Sequence, residues 1–135
     1  MSYSSFKLKS GSSGTSGSSG SDGYNAANTF LYKYSTTTSA VDPGDGYLRL
    51  NNATMGSATA LYIANTDGST PANNLDSFLA SLSSYGSAAR RGYIKIQQSS
   101  NSSNFYLFEF STVTQQAGGA GGWNSIVISN LVAMP

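Results

Sequence analysis

Glycine occupies every third position from residue 11 to residue 23. The glycines in this register are Gly11, Gly14, Gly17, Gly20 and Gly23, and no glycine in the stretch is out of phase. A collagen-type triple helix accepts only glycine at its crowded axis, once in every three residues. A flexible linker needs glycine but has no reason to space it regularly. The period therefore predicts that residues 11–25 form a short collagen-like stalk, with each chain supplying one strand of a homotrimer.

The other residues of the triplets are mostly serine, and none is proline, although collagen-like sequences are normally rich in proline. At about 3.1 Å per residue, the five triplets would span about 45 Å. A stalk this short could hardly hold three chains together by itself, so the trimer contacts have to come from residues 26–135. The alternative interpretation is a Gly/Ser tether that joins monomeric domains.

The length and the composition restrict the class of protein. A chain of 135 residues fits one compact domain with a short arm. The net charge is +1 and only 10% of the residues are charged, which argues against a nucleic-acid partner because such proteins usually carry a basic face. The absence of cysteine and histidine removes disulfides, thiolate metal sites and the usual Ser-His catalytic pair. We therefore expect no enzyme activity, no cofactor and no bound metal.

No segment of the sequence is apolar over the length that a membrane-spanning helix needs. Residues 1–10 also lack the apolar run of a signal peptide. We therefore expect no membrane insertion. We also expect synthesis in the host cytoplasm, so that any exterior location is reached by assembly.

The residues before the triplets show a period of two. Tyr3, Phe6 and Leu8 alternate with polar or basic residues, among them Lys7. Such alternation predicts a strand, and a strand without a partner can add to the exposed sheet edge of another protein. We therefore predict that residues 1–10 form a docking arm whose contacts are made by Tyr3, Phe6, Lys7 and Leu8. The alternative is a frayed terminus.

The remainder of the chain has the pattern of a β-domain with one helix. Apolar residues at spacings of three and four, from Leu75 to Tyr85, predict a helix over 72–85. We predict a mainly β knob over 26–135, an antiparallel jelly-roll-like β-sandwich with this helix across an open end or face. The strands are predicted from alternating residues at 30–35, 47–51, 59–64, 92–98, 104–113 and 123–131.

The strand over 104–113 is apolar on both faces, which favours either a central position or burial between subunits. Glu109 lies among its aromatic residues, and a buried carboxylate needs a partner, for which Lys95 and Arg49 are candidates. The glycine-rich stretch 115–122 is predicted to be a mobile tip.

Few residues are candidates for chemistry. Asp42, Asp45 and Asp67 are too scattered for the dense oxygen cage that calcium requires, and the sequence around Asp42 is typical of a turn. Trp123, the 115–122 tip and the asparagine-rich turns could contact a glycan, although aromatic residues in strand phase are more often packing material.

The order of the segments suggests a family. The triplets are followed by the strings at 46–54 (GYLRLNNAT), 60–67 (ALYIANTD), 92–96 (GYIKI) and 105–110 (FYLFEF). Over residues 11–132, this succession resembles the C-terminal modules of collagen-like fibre and structural proteins of tailed bacteriophages, notably those of cyanobacteria. The resemblance implies a trimeric protein of the virion surface without enzyme activity.

A short arm, a brief stalk and a knob suit a protein that decorates a capsid at a three-fold or quasi-three-fold position. The expected partners are two further copies of the chain and the major capsid protein or another virion protein. The expected function is capsid decoration or cement, as in head fibres. The alternative is the tip of a tail fibre that binds a host receptor or a surface glycan.

Overall fold

The computed structural model describes residues 5–10, 29–84, 87, 91–98 and 101–134. The predicted mainly β class with one short helix is confirmed. The only α-helix of the described residues is α1, Asp76–Ser81, which continues into a 3₁₀ turn, Leu82–Ser84. The strands are β1 (Ser5–Ser10), β2 (Thr29–Leu31), β3 (Lys33–Ser35), β4 (Tyr47–Leu50), β5 (Ala60–Ala64), β6 (Gly92–Gln98), β7 (Asn101–Ala117) and β8 (Trp123–Met134).

All eight strands belong to one sheet, in the order β2-β1-β6-β7-β8-β5-β4-β3. Neighbouring strands are antiparallel, except that β3 runs parallel to β4. The architecture is therefore a curled mixed sheet. The two facing sheets of the predicted sandwich are not confirmed.

The two edges of this sheet meet at one residue. β2 and β3 lie at opposite edges, yet only Tyr32 separates them in the chain. One short segment thus pairs with β1 through its first half and with β4 through its second half. The sheet has to curl until both edges reach Tyr32, which is fully buried and donates a hydrogen bond from its hydroxyl to the Ala64 carbonyl at 2.7 Å.

The core lies inside the curl because alternate residues of each strand point to the same face. The helix and the 3₁₀ turn after it close the core: Leu79 and Leu82 are fully buried, and the Phe78 ring packs 5.0 Å from the Phe30 ring. The sheet contributes Leu48, Leu50, Leu61, Ile63, Ile94, Ile96, Phe108, Phe110, Ile126 and Ile128.

The helix is shorter than the predicted 72–85. Residues before it are held in an extended loop, because Leu75 donates its backbone N–H to the Asn65 carbonyl and Asn74 forms a β-bridge with Thr66. The Asn74 side chain then accepts the backbone N–H of Asp76 at 3.0 Å, which fixes the helix start there. Contacts with the sheet therefore override the local helical pattern.

β7 lies between β6 and β8, in the interior of the sheet. A central position was one of the two that its apolar faces predicted, and burial between subunits was the other. Phe108 and Phe110 lie in the core, whereas Phe105, Leu107 and Glu109 are half-buried on the other face. The strand is longer than predicted and extends to Ala117.

We predict that Tyr32→Phe destabilises the protein by about 1–3 kcal/mol, because the Ala64 carbonyl would lose its hydroxyl donor inside the core. Urea unfolding measures this difference. The matched control is Tyr47→Phe, on a side chain that is 37% exposed, and it should change the stability by less than about 0.5 kcal/mol. Equal effects of the two substitutions would contradict a structural role for the Tyr32 hydroxyl.

Candidate functional site

The predicted N-terminal strand is present as β1, but it has partners within its own chain. β1 lies between β2 and β6, and the register puts Phe6 opposite Phe30 on one side and Ile96 on the other. Leu8 lies opposite Ile94, and Lys7 opposite Lys95. The assumption that this strand lacks a partner in its own chain is therefore wrong. The docking role of Phe6, Lys7 and Leu8 stays a prediction, and Tyr3 lies outside the described residues.

The predicted stalk also lies outside the described residues, which include none of Gly11, Gly14, Gly17, Gly20 and Gly23. Its two flanks are nevertheless placed. Lys7 of β1 lies opposite Thr29, the first residue of β2. Ser10 is three residues further along β1, so Ser10 and Thr29 are about 10–12 Å apart at about 3.3 Å per strand residue.

This separation conflicts with a straight stalk. A triple helix over 11–25 carries the chain about 45 Å away from Ser10. Residues 26–28 can recover at most about 11 Å, the reach of three extended residues. The pairing of β1 with β2 and a straight stalk over 11–25 therefore exclude each other in the same chain.

A network of amides joins the loops at one end of the sheet. Asn65 is fully buried, and its side-chain nitrogen contacts Asp76 Oδ1 at 3.1 Å and the carbonyls of Ala117 at 3.2 Å and Gly119 at 2.8 Å. Its side-chain oxygen accepts a hydrogen bond from Asn124 Nδ2 at 2.8 Å. These contacts tie β5, β7 and β8 to the start of α1.

The same network holds the stretch that was predicted to be a mobile tip. Besides the Asn65 contacts, Thr66 donates its hydroxyl to the Ala120 carbonyl at 2.6 Å. A side chain at Gly122 would overlap the Ala117 backbone, so this close return needs glycine. Trp123 is half-buried with its ring 6.0 Å from the Tyr62 ring in an edge-to-face contact. The turn is therefore anchored to the sheet, and Trp123 serves in part as packing.

Asp67 organises a turn. It is 2% exposed, and its carboxylate accepts hydrogen bonds from the backbone N–H and hydroxyl of Ser69 and from the backbone N–H and side-chain amide of Asn73, at 2.8–3.2 Å. Burial acts to raise the pKa of Asp67, but the hydrogen bonds from Asn73 and Ser69 outweigh it and lower the pKa below its ordinary value. Burial also raises the pKa of Tyr32, with a smaller contribution from the charge of Asp67.

Within the described ranges, no group of three acidic, histidine or cysteine side chains lies close enough to hold a metal. The Asp42 carboxylate accepts the backbone N–H of Gly44 at 2.9 Å, as in an Asx turn. In the same part of the chain, no helix is long and apolar enough to cross a bilayer.

The structure separates Glu109 from one of its two candidate partners. Glu109 on β7 lies opposite Tyr93 on β6 and Ser129 on β8. Arg49 on β4 is three strands away, and its guanidinium bonds the Ser39 carbonyl and hydroxyl at 3.2 and 3.3 Å. The prediction of a Glu109–Arg49 pair is therefore wrong, whereas Lys95 lies on the adjacent strand.

Arg49 itself has an unusual environment. It is only 8% exposed, although it lies on the face of β4 away from Leu48 and Leu50. Its Nε atom is buried and has no hydrogen-bond partner. The sequence indicated only that Arg49 alternates with leucines. The loop that covers it, residues 36–42, could not be placed from sequence.

No protein-family model, curated protein or solved structure matches this chain. Functional inference therefore rests on its own residues and their geometry.

We predict that the stability of the protein falls as the pH is lowered through about 4, the ordinary pKa of an unfolded aspartate. The folded-state pKa of Asp67 is lowered, so its contribution is complete above that pH and is lost as the carboxylate is protonated at lower pH. Urea midpoints measured between about pH 6 and pH 3 should fall less in Asp67→Asn than in the wild type. The control Asp45→Asn, on an exposed side chain, should fall like the wild type. Parallel curves for all three proteins would exclude this role of Asp67.

Proposed function

We propose that the chain is a homotrimeric structural protein of a phage virion surface, which decorates or cements the capsid. The observation that carries the proposal is the unbroken glycine register from Gly11 to Gly23, which a three-stranded stalk requires and a tether does not. In this proposal residues 26–135 are the projecting knob, for which a jelly-roll-like sandwich packing was predicted, and residues 1–10 attach it to the major capsid protein or another virion protein.

The position of β1 adds a requirement to this proposal. The stalk and the β1–β2 pairing exclude each other, and in this proposal β1, which belongs to the attachment arm, is the strand that leaves the sheet when the stalk forms. Release costs the pairing of six β1 residues with β6 and three with β2. After release, the backbone N–H and C=O groups of β1 are unpaired. The exposed edge of a capsid sheet can pair with them by strand addition. The attachment and the stalk therefore form together.

A disulfide that locks β1 in the sheet tests this requirement. Lys9 and Tyr93 lie directly opposite each other, and the chain has no cysteine that could mispair. We expect oxidised Lys9→Cys/Tyr93→Cys to remain monomeric and to leave virions unoccupied. Reduction should restore both trimer formation and occupancy, measured by light scattering and by counting copies on purified particles.

The matched control is Ala60→Cys/Val127→Cys, an opposite pair between β5 and β8, which stay together whether or not β1 is released. It should trimerise and bind particles in both redox states. A locked β1 variant that still trimerises and occupies particles would contradict the release of β1. A wild-type mass near 14.0 kDa on its own and on isolated particles would contradict the trimer itself.

A truncation separates docking from folding. If residues 1–10 serve only as a docking arm, their deletion should leave a soluble trimer that no longer binds virions. The pairing of β1 with β6 predicts in addition that this variant unfolds at lower urea concentration when it is monomeric, because the β6 edge loses the strand that pairs with it. Unchanged virion occupancy would refute the docking arm.

A receptor-binding or carbohydrate-binding tip of a tail fibre is the second candidate. The observation that favours it is a cationic and aromatic surface: the Lys33 ammonium lies 5.8 Å from the centroid of the Tyr47 ring, and Tyr47 is 37% exposed. A host-cell binding assay separates the two functions, because a cement protein is expected to bind virions and not cells.

A further inference from the structure

Arg49 is a buried cation whose charge is not balanced within the described chain. Its described hydrogen bonds all run from Nη1 to the carbonyl and hydroxyl of Ser39, and both acceptors are neutral. The Nε–H is buried without a partner. A charged donor left unpaired in a buried place costs free energy, so the site is incomplete as it stands.

The acidic side chains do not complete it. Among the described residues, the contacts of the Arg49 guanidinium are those with Ser39, and none of them is an ion pair. Asp67 is occupied by Ser69 and Asn73, and Asp76 by Asn65 and Gln115. Asp42 accepts the Gly44 N–H.

The unused part of the guanidinium has a defined shape. Nε–H and one Nη2–H of an arginine point in the same direction and form a two-pronged donor that matches the two oxygens of a carboxylate. The Ser39 contacts use Nη1 and leave this edge without a described hydrogen-bond partner. Arg49 thus offers the bidentate edge of its guanidinium to an acceptor from outside the described chain.

The neighbouring side chains extend the site. On β3, Ser35 lies opposite Arg49 and Lys33 lies opposite Tyr47. Lys33 is therefore two residues along β3 from the residue that faces Arg49. Lys33 is exposed and adds a second positive charge. Tyr47 adds a partly exposed aromatic ring, the kind of surface on which the C–H groups of a sugar pack.

The loop over Arg49 can give access to this edge. Residues 36–42 are exposed, and Val41 is 52% exposed. Apart from the local contact of the Thr37 N–H with Ser35 Oγ at 3.4 Å, the described hydrogen bonds from this loop to the sheet are those from Arg49 to Ser39. A ligand that engages Arg49 therefore competes with few interactions.

We propose that Arg49, with Lys33 and Tyr47 beside it, binds the carboxylate of an acidic saccharide beneath the 36–42 loop. The site does not include the strand that is released, because Arg49 and Tyr47 lie on β4, which pairs with β3 and β5 and not with β1 or β6.

The test is a titration of isotope-labelled full-length protein with D-glucuronate, followed by the Nε–H resonance of Arg49 in NMR spectra. We expect a saturable shift of that resonance and of the Ser39 amide with glucuronate and none with glucose. Acetate should bind at least about tenfold more weakly, since it lacks the ring that packs on Tyr47. Equal affinity for acetate would overturn the saccharide part of the proposal, and no shift with glucuronate would overturn all of it.

Three variants sharpen the result. Arg49→Lys keeps the charge but loses the planar edge, and it should weaken glucuronate binding about tenfold or more. Ser39→Ala removes a hydroxyl that bonds Nη1 and leaves the Nε–Nη2 edge unchanged, so it should alter binding by less than about twofold. The control is Arg91→Lys, because the Arg91 guanidinium also bonds a backbone carbonyl, that of Ser111 at 2.9 Å, but lies on the β6 side of the sheet. Equal weakening in Arg91→Lys would mean that loss of a guanidinium far from Arg49 has the same effect, and would contradict a site at Arg49.

Discussion

The passage of one chain segment from one edge of the sheet to the other, at Tyr32, determines the rest of the fold. Because β2 and β3 are joined by that single residue, the sheet cannot stay flat, and its inner face becomes the core. The same closure removes the exposed edges that an open sheet would present to other chains. It also accounts for the one parallel pair. β2 and β3 form one continuous segment, so the curled sheet contains this segment and six other strands, seven in all. Seven strands in a closed circle cannot all be antiparallel to both neighbours. The mismatch lies between β3 and β4.

The chain stabilises its turns with amides and hydroxyls, which suits a sequence with only 10% charged residues. Asn51 shows the principle: its side-chain oxygen accepts the backbone N–H groups of Thr59 and Ala60, and its nitrogen donates to the Thr59 hydroxyl. Asn65 does the same for the turn that begins at Ala117 and for Asn124 on β8. Neutral hydrogen bonds of this kind are directional, and salt does not screen them as it screens surface ion pairs. Against this background, the buried charge of Arg49 stands out as a group that the fold does not explain.

The sequence predicted what depends on local pattern and missed what depends on long-range pairing. The period of two located the strands within a few residues, and the turn at Gly44 and Gly46, both with positive φ, was visible from composition. The late start of α1, at Asp76 and not at residue 72, was not visible, because the contact of the Leu75 N–H with the Asn65 carbonyl holds the preceding residues in a loop. Nor could the pattern show that the strand at Phe6 pairs with β6, since alternation indicates that a strand exists but not which edge it joins. The unpartnered edge of Arg49 depends on where the 36–42 loop lies, which local sequence does not encode.

The two possible positions of β1 differ in how they depend on concentration, and this difference bears on the proposed assembly. Pairing of β1 with β2 and β6 is intramolecular, so its free energy does not change with the number of chains present. A three-stranded stalk gains with each further copy held nearby, because attachment to one surface raises the effective concentration of the chains. In dilute solution the paired form of β1 is therefore favoured, which keeps a strand that could pair with the wrong chain occupied. At the proposed three-fold position on a capsid, three docking edges and three chains would be brought together at once. In the proposed assembly the balance then moves toward the stalk, while the six strands from β6 to β3 in the sheet order keep their pairing with one another in both arrangements.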